Sequence, residues 1–119
     1  MGIPMTIIIA GWIDLDVEDV TDVIASAKAH IEGAYTENGC VHYIWTKDVF
    51  VPGRIHVHEE WVDTADLQYH FDNHWYKDMG GHLRQFPRKG SQIRKFRVDH
   101  IEPVYDPSGI PRADFFTAP

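Results

Sequence analysis

Arg54–Trp75, RIHVHEEWVDTADLQYHFDNHW, decides how the rest of the chain is read. Its first half alternates, so Ile55, Val57, Glu59 and Trp61 fall on one face of a strand and His56, His58 and Glu60 on the other. Its second half changes to helical spacing, with Leu67, Phe71 and Trp75 four apart and His70 and His74 alongside. Asp63, at the junction, is a helix cap. A strand over Arg54–Asp63 followed at once by a helix is the result.

Upstream, Cys40–Lys47 (CVHYIWTK) reads as a second strand, and the Pro52-Gly53 turn makes the two a hairpin. Pairing by alternation puts Val41, Tyr43 and Trp45 with Glu59 and Trp61, and Cys40, His42, Ile44 and Thr46 with His56, His58, Glu60 and Val62. Met5–Ile13 is β-branched and strand-like. Asp16 then caps a helix that runs from Val17 to the Asn38-Gly39 stop. After the second helix, Gly80-Gly81 is expected to interrupt it, Pro87-Arg88-Lys89-Gly90 to form a loop and Gln92–Glu102 to form a last strand.

The order β-α-β-β-α-β is the ferredoxin-like α+β arrangement, a four-stranded antiparallel sheet with both helices on one face. The uncovered face predicts a homodimer closed back to back, a dimeric α+β barrel. The domain is expected over 1–103. The Pro-rich tail, 104–119, carries Tyr105, Phe115 and Phe116 and is expected to lie along a neighbouring subunit.

A net charge of −7 argues against nucleic acid as a partner. Acidic residues gather early, at Asp14, Asp16, Glu18, Asp19 and Asp22. Basic ones gather late, at Arg84, Arg88, Lys89, Arg94, Lys95 and Arg97. One cysteine, Cys40, excludes an internal disulfide and fits a reducing compartment. With no membrane-length apolar run, a cytoplasmic protein with no membrane partner is expected.

Several residues carry chemistry. Glu59 on a helix-covered face should have a raised pKa, which suits a general base and equally a structural hydrogen bond. His70 and His74 can titrate near neutrality, and one of them should point into a pocket. Trp12, Tyr43, Trp45, Trp61 and Phe71 are candidates for an aromatic slot, or for plain core packing. His56, His58 and Glu60, with His42 beside them, are the lesser alternative of a metal site. No Gly-rich phosphate loop occurs, and no cofactor is expected.

The segment from about Met5 to Glu102 resembles the antibiotic biosynthesis monooxygenase family of dimeric α+β barrels. The resemblance rests on MTIIIAGWI at the first strand, Gly39-Cys40-Val41-His42-Tyr43 at the second and Glu59-Glu60-Trp61-Val62-Asp63 closing the third. It continues through Ala65-Asp66-Leu67 and His70 to Asn73-His74-Trp75. It implies a monooxygenase that oxidises a small phenol or quinol with O₂ and without metal or flavin. Glu59, His70 and His74 would then be catalytic. Haem degradation is disfavoured, because Met5–Ile13 has no Asn and His70 stands where such members carry Trp. Two alternatives remain. One is an isomerase or decarboxylase of an aromatic or lactone-like acid held by Arg94 or Arg97. The other is a non-catalytic ligand-binding dimer.

Overall fold

A computed structural model of the chain describes residues 5–118. Its elements are β1 (Thr6–Leu15), α1 (Thr21–Ser26), α2 (Lys28–Tyr35), β2 (Cys40–Lys47), β3 (Arg54–Trp61), α3 (Thr64–Asp72), α4 (His74–Leu83) and β4 (Arg88–Val98). The sheet order is β2-β3-β1-β4 with every neighbour antiparallel. This is the ferredoxin-like arrangement expected, with each long helix divided in two.

Alternation decides the faces. Ile7, Ile9, Ile13 and Leu15 of β1 and Ile55, Val57, Glu59 and Trp61 of β3 are buried under the helices. One half of the core joins Ile13, Leu15, Ile55 and Val57 to Val23 and Ala27 on one helix pair and to Met79 and Leu83 on the other. The other half joins Ile7, Ile9, Tyr43 and Trp61 to Ala34 and Leu67. Both helix pairs therefore lie on the same side of the sheet. On the opposite side Ile44 and Phe96 are exposed. No described helix is long and apolar enough to cross a membrane.

Six features differ from the sequence reading. β1 runs on to Leu15, because Leu15 N–H donates to the Gly53 carbonyl (2.9 Å) and Asp16 N–H to that of Pro87 (2.7 Å). Asp16 is therefore no helix cap. The Asp19 carboxylate instead accepts from Thr21 N–H (2.9 Å). In β2 a register shift between Cys40 and His42 pairs Cys40 with Trp61 and leaves Val41 exposed, so these two exchange the faces expected of them. α4 passes through Gly80-Gly81, since buried Met79 and Leu83 outweigh the cost of about 1 kcal/mol per glycine. β4 begins at Arg88 and ends at Val98 because its partner β1 sets its length, pairing Leu15 with Arg88 and Thr6 with Val98. β3 closes at Trp61, two residues early, and Asp63 caps α3 by accepting from Asp66 N–H (2.9 Å).

Two glycines are required by space. Gly39 has φ +77° and a Cβ there would stand 2.1 Å from an Asp66 carboxylate oxygen. A Cβ on Gly33 would stand 2.2 Å from the Trp75 ring, so this glycine lets α4 close onto α2. Beyond β4 the tail folds on itself. Tyr105 pairs with Pro111, and Glu102 accepts from the backbone N–H of Phe116 (3.0 Å) and Thr117 (3.0 Å).

Candidate functional site

A cavity of about 480 Å³ opens between the sheet and α4. Ile9, Tyr43, Val57 and Glu59 rise into it from the strands, and Tyr76, Met79, Gly80 and Leu83 cover it. Trp45 and Phe71 add aromatic wall, and Lys77, Arg84 and Arg88 stand at the solvent edge.

Glu59 is the acid of this cavity. It is 6% exposed, because its strand position faces the helices. Trp61 Nε1, two residues along the same face, donates to Glu59 Oε1 (2.9 Å). Burial pushes the Glu59 carboxyl up to about 7, against the Trp61 hydrogen bond and with a further push from the Glu37 charge. Burial, helped by the Glu59 charge, also holds the Tyr43 phenol well above its ordinary range, so Tyr43 is a neutral donor. The same two influences push the Cys40 thiol up to about 11, which removes it as a nucleophile near neutral pH.

His70 is fully buried one layer behind the cavity. Its ring is stacked among Trp61, Tyr43, Tyr76 and Phe71, with centroids 4.6, 5.3, 5.5 and 5.8 Å away. Nδ1 lies 2.6 Å from Glu37 Oε1, and Asn73 Nδ2 donates to Glu37 Oε2 (2.8 Å). With Asn73 on one oxygen, the simplest proton count puts the imidazole hydrogen on Nδ1. Nε2 is buried with no hydrogen-bond partner. The sequence reading missed Glu37. Nothing in its spacing marks it, since it sits in the turn after α2; its place two residues before the Gly39 stop is the only hint.

Other expected site residues are scattered. His74 does not share a helical face with His70, because extended Asn73 (φ −88°, ψ 159°) divides the helix between them. It is exposed and stacks on Trp75 (4.2 Å). Trp61 is fully buried and reaches the cavity only through Glu59. Trp12 is on the uncovered face, opposite His56 in the ladder, with the Arg54 guanidinium 4.6 Å over its ring. Arg94 is also on that face, opposite Ala10, and lies 5.3 Å over Phe96. Arg97 borders a separate cavity of about 510 Å³ beside Ile7, Leu67 and Phe71. The cations brought to the Glu59 cavity are instead Lys77, Arg84 and Arg88.

The metal alternative does not assemble. His56 Nε2 is taken by Asp48 Oδ2 (2.6 Å), and this contact holds the Asp48 carboxyl down at about 2. The His42 and His58 rings are 6.4 Å apart, and no three His, Cys, Asp or Glu side chains among the described residues converge on one point.

Most of the stretch that builds this cavity, up to Gly80 but not Leu83, Arg84, Arg88 or Ile93, is shared with known proteins. The model of the antibiotic biosynthesis monooxygenase family matches residues 6–80, most of the chain from β1 into α4. The chain belongs to that family. Solved structures similar to it include a conserved protein from Methanosarcina mazei Go1, 24% identical, with 78% of this chain and 92% of that one covered at a TM-score of 0.69. A proposed antibiotic biosynthesis monooxygenase from Deinococcus radiodurans is 15% identical and covers 84% and 99% at a TM-score of 0.73. Another, from Nitrosomonas europaea, is 9% identical and covers 84% and 96% at 0.71. Such identities carry the fold alone. A search of curated proteins gives no match.

Proposed function

We propose that the protein is a cofactor-independent monooxygenase that oxidises a small phenol or quinol with O₂ in the Glu59 cavity. The observation that carries this reading is a buried carboxyl, pushed up to about 7, beside a neutral tyrosine in an aromatic-walled hollow. Family membership and the proposed activity of the Deinococcus and Nitrosomonas proteins support it.

The steps follow from the groups present. The Glu59 carboxylate takes the phenolic proton, because a phenolate gives an electron to O₂ far more readily than a phenol does. The ring carbon then bonds to O₂, the resulting peroxide takes the proton back from Glu59, and loss of water leaves a quinone. One oxygen atom stays on the ring and the other departs as water. Tyr43 donates a hydrogen bond to the negative charge as it forms. Trp61 holds Glu59 in place. His70, braced by Glu37 and Asn73, is a positioning residue for the Tyr43 and Trp61 rings.

Oxygen uptake on a panel of hydroquinones, without added flavin or metal, tests the reading. Glu59→Gln should lower the rate by about 10²–10⁴, the usual share of a positioned base. Equal uptake by both proteins would overturn it. Turnover without oxygen would instead favour an isomerase or decarboxylase using the same base. The exposed apolar positions Ile44 and Phe96 support a back-to-back homodimer, checked by sedimentation velocity. The unit 1–103 is taken as the catalytic domain, with 104–119 as an appended tail.

A further inference from the structure

Three cations at the edge of the cavity have no partner among the described residues. Lys28, Lys47, Arg54, Lys89 and Arg112 each reach a carboxylate within 3.9 Å. Lys77, Arg84 and Arg88 reach none among the described residues, although the chain carries 18 acidic residues and a net charge of −7. Arg94, Lys95 and Arg97 also lack a carboxylate partner among the described residues, but they lie on the uncovered face or at the separate cavity, and of these free cations Lys77, Arg84 and Arg88 are the ones that line the Glu59 cavity.

Arg84 lies along its own helix toward the cavity. Gly80 is part of the cavity wall, and Arg84 Nη1 lies 3.3 Å from where a Gly80 Cβ would stand. The guanidinium is thus folded back along α4 over the opening. The cavity is polarised from end to end, with Glu59 and Tyr43 buried and the cations exposed. Glu59 owes its raised pKa to burial and to Glu37, and none of the three cations draws it down. Their charge is free to meet a ligand.

The geometry points to a phenol that also bears a carboxylate, its hydroxyl toward Glu59 and its carboxylate against Arg84 and Arg88 at the edge. This rests on the phenol-binding reading of the same cavity. A guanidinium fork matches a carboxylate with two parallel hydrogen bonds. A phosphate would also fit the fork, but its second charge would disfavour the ionised form of Glu59 that the chemistry needs. Lys77 adds attraction that salt should screen.

Titration calorimetry with 2,5-dihydroxybenzoate, its methyl ester and 4-hydroxyphenyl phosphate tests the assignment. The wild type should bind the acid at least tenfold more tightly than the ester. Arg84→Gln/Arg88→Gln should lose that preference through weaker binding of the acid, with circular dichroism confirming the fold. Arg88→Gln alone, on a strand, should lose part of it. Equal binding of acid and ester overturns the inference, as does a preference surviving in the double variant or 4-hydroxyphenyl phosphate binding tenfold more tightly than the acid. The underlying phenol reading fails differently. The acid would still be preferred, but its bound phenolate absorbance would be the same in wild type and Glu59→Gln. Failure of every probe to bind at millimolar concentration overturns both.

Discussion

Replacing Glu59 by Gln should change how stability depends on pH more than it changes stability itself. Below about pH 4.5 the Glu59 carboxyl is protonated in both the folded and unfolded chains. As pH rises through this value the unfolded chain releases its proton, while the folded chain keeps it until about 7. Folding then takes up a proton, so stability falls as pH rises across this window and stays low above it. The displacement from 4.5 to about 7 is about 2.5 pH units, worth about 3 kcal/mol at 1.36 kcal/mol per unit. Little is discounted for solvent, since the side chain is 6% exposed. Part of the loss is already present at pH 5, so pH 5 and pH 8.5 should differ by about 2–3 kcal/mol from this group. The amide of the Glu59→Gln variant keeps an acceptor for Trp61 Nε1 but does not titrate. Urea unfolding of both proteins, at one protein concentration, cancels the contribution of groups that do not interact with Glu59. With a slope of about 1–3 kcal/mol/M the wild-type midpoint should fall by about 1–2 M more than the variant's. Parallel profiles within about 0.5 kcal/mol would show that burial does not hold this carboxyl up, and the catalytic case would go with it.

Other substitutions probe the packing around the cavity. His70→Ala leaves Glu37 Oε1 buried without its partner and should cost about 3–5 kcal/mol, read from thermal or urea unfolding. Glu37→Gln, which keeps an acceptor, should cost less. Gly33→Ala drives a methyl into the Trp75 ring and should destabilise by about 1–3 kcal/mol, with a change in tryptophan fluorescence. Cys40 should resist iodoacetamide at pH 8, and its labelling rate should climb only toward pH 11, where the thiol ionises. Asp63→Ala removes the acceptor for Asp66 N–H and should cost about 1 kcal/mol, read from the urea midpoint.

The faces of β3 were legible because a two-residue period in Ile55, Val57, Glu59 and Trp61 admits one burial pattern, and that pattern placed Glu59 under the helices. The Asp63 cap was legible because its chemistry is local. Contacts made at a distance were not. The register shift after Cys40 depends on which residue of β3 it meets, and the length of β4 is imposed by β1. The pairing of Glu37 with His70 joins residues 33 positions apart, and no spacing rule reports it. The late basic cluster was visible as composition, but which cations reach the cavity depends on β4 register and on α4 continuing through Gly80.

Asn73 has a consequence for how such a site can change. It ends α3 and starts α4, and its side chain grips Glu37 Oε2 (2.8 Å). One unbroken helix would transmit any tilt of the cavity's cover directly to the imidazole of His70, one turn earlier. With the chain extended at this single point and tied down there, the far part of α4 around Met79 is one break removed from Glu37 and His70, whereas Tyr76, whose ring lies 5.5 Å from that of His70, still touches both sides. The break at Asn73 cushions the imidazole against movements of the far end of α4, and Tyr76 is the contact through which the two remain mechanically joined.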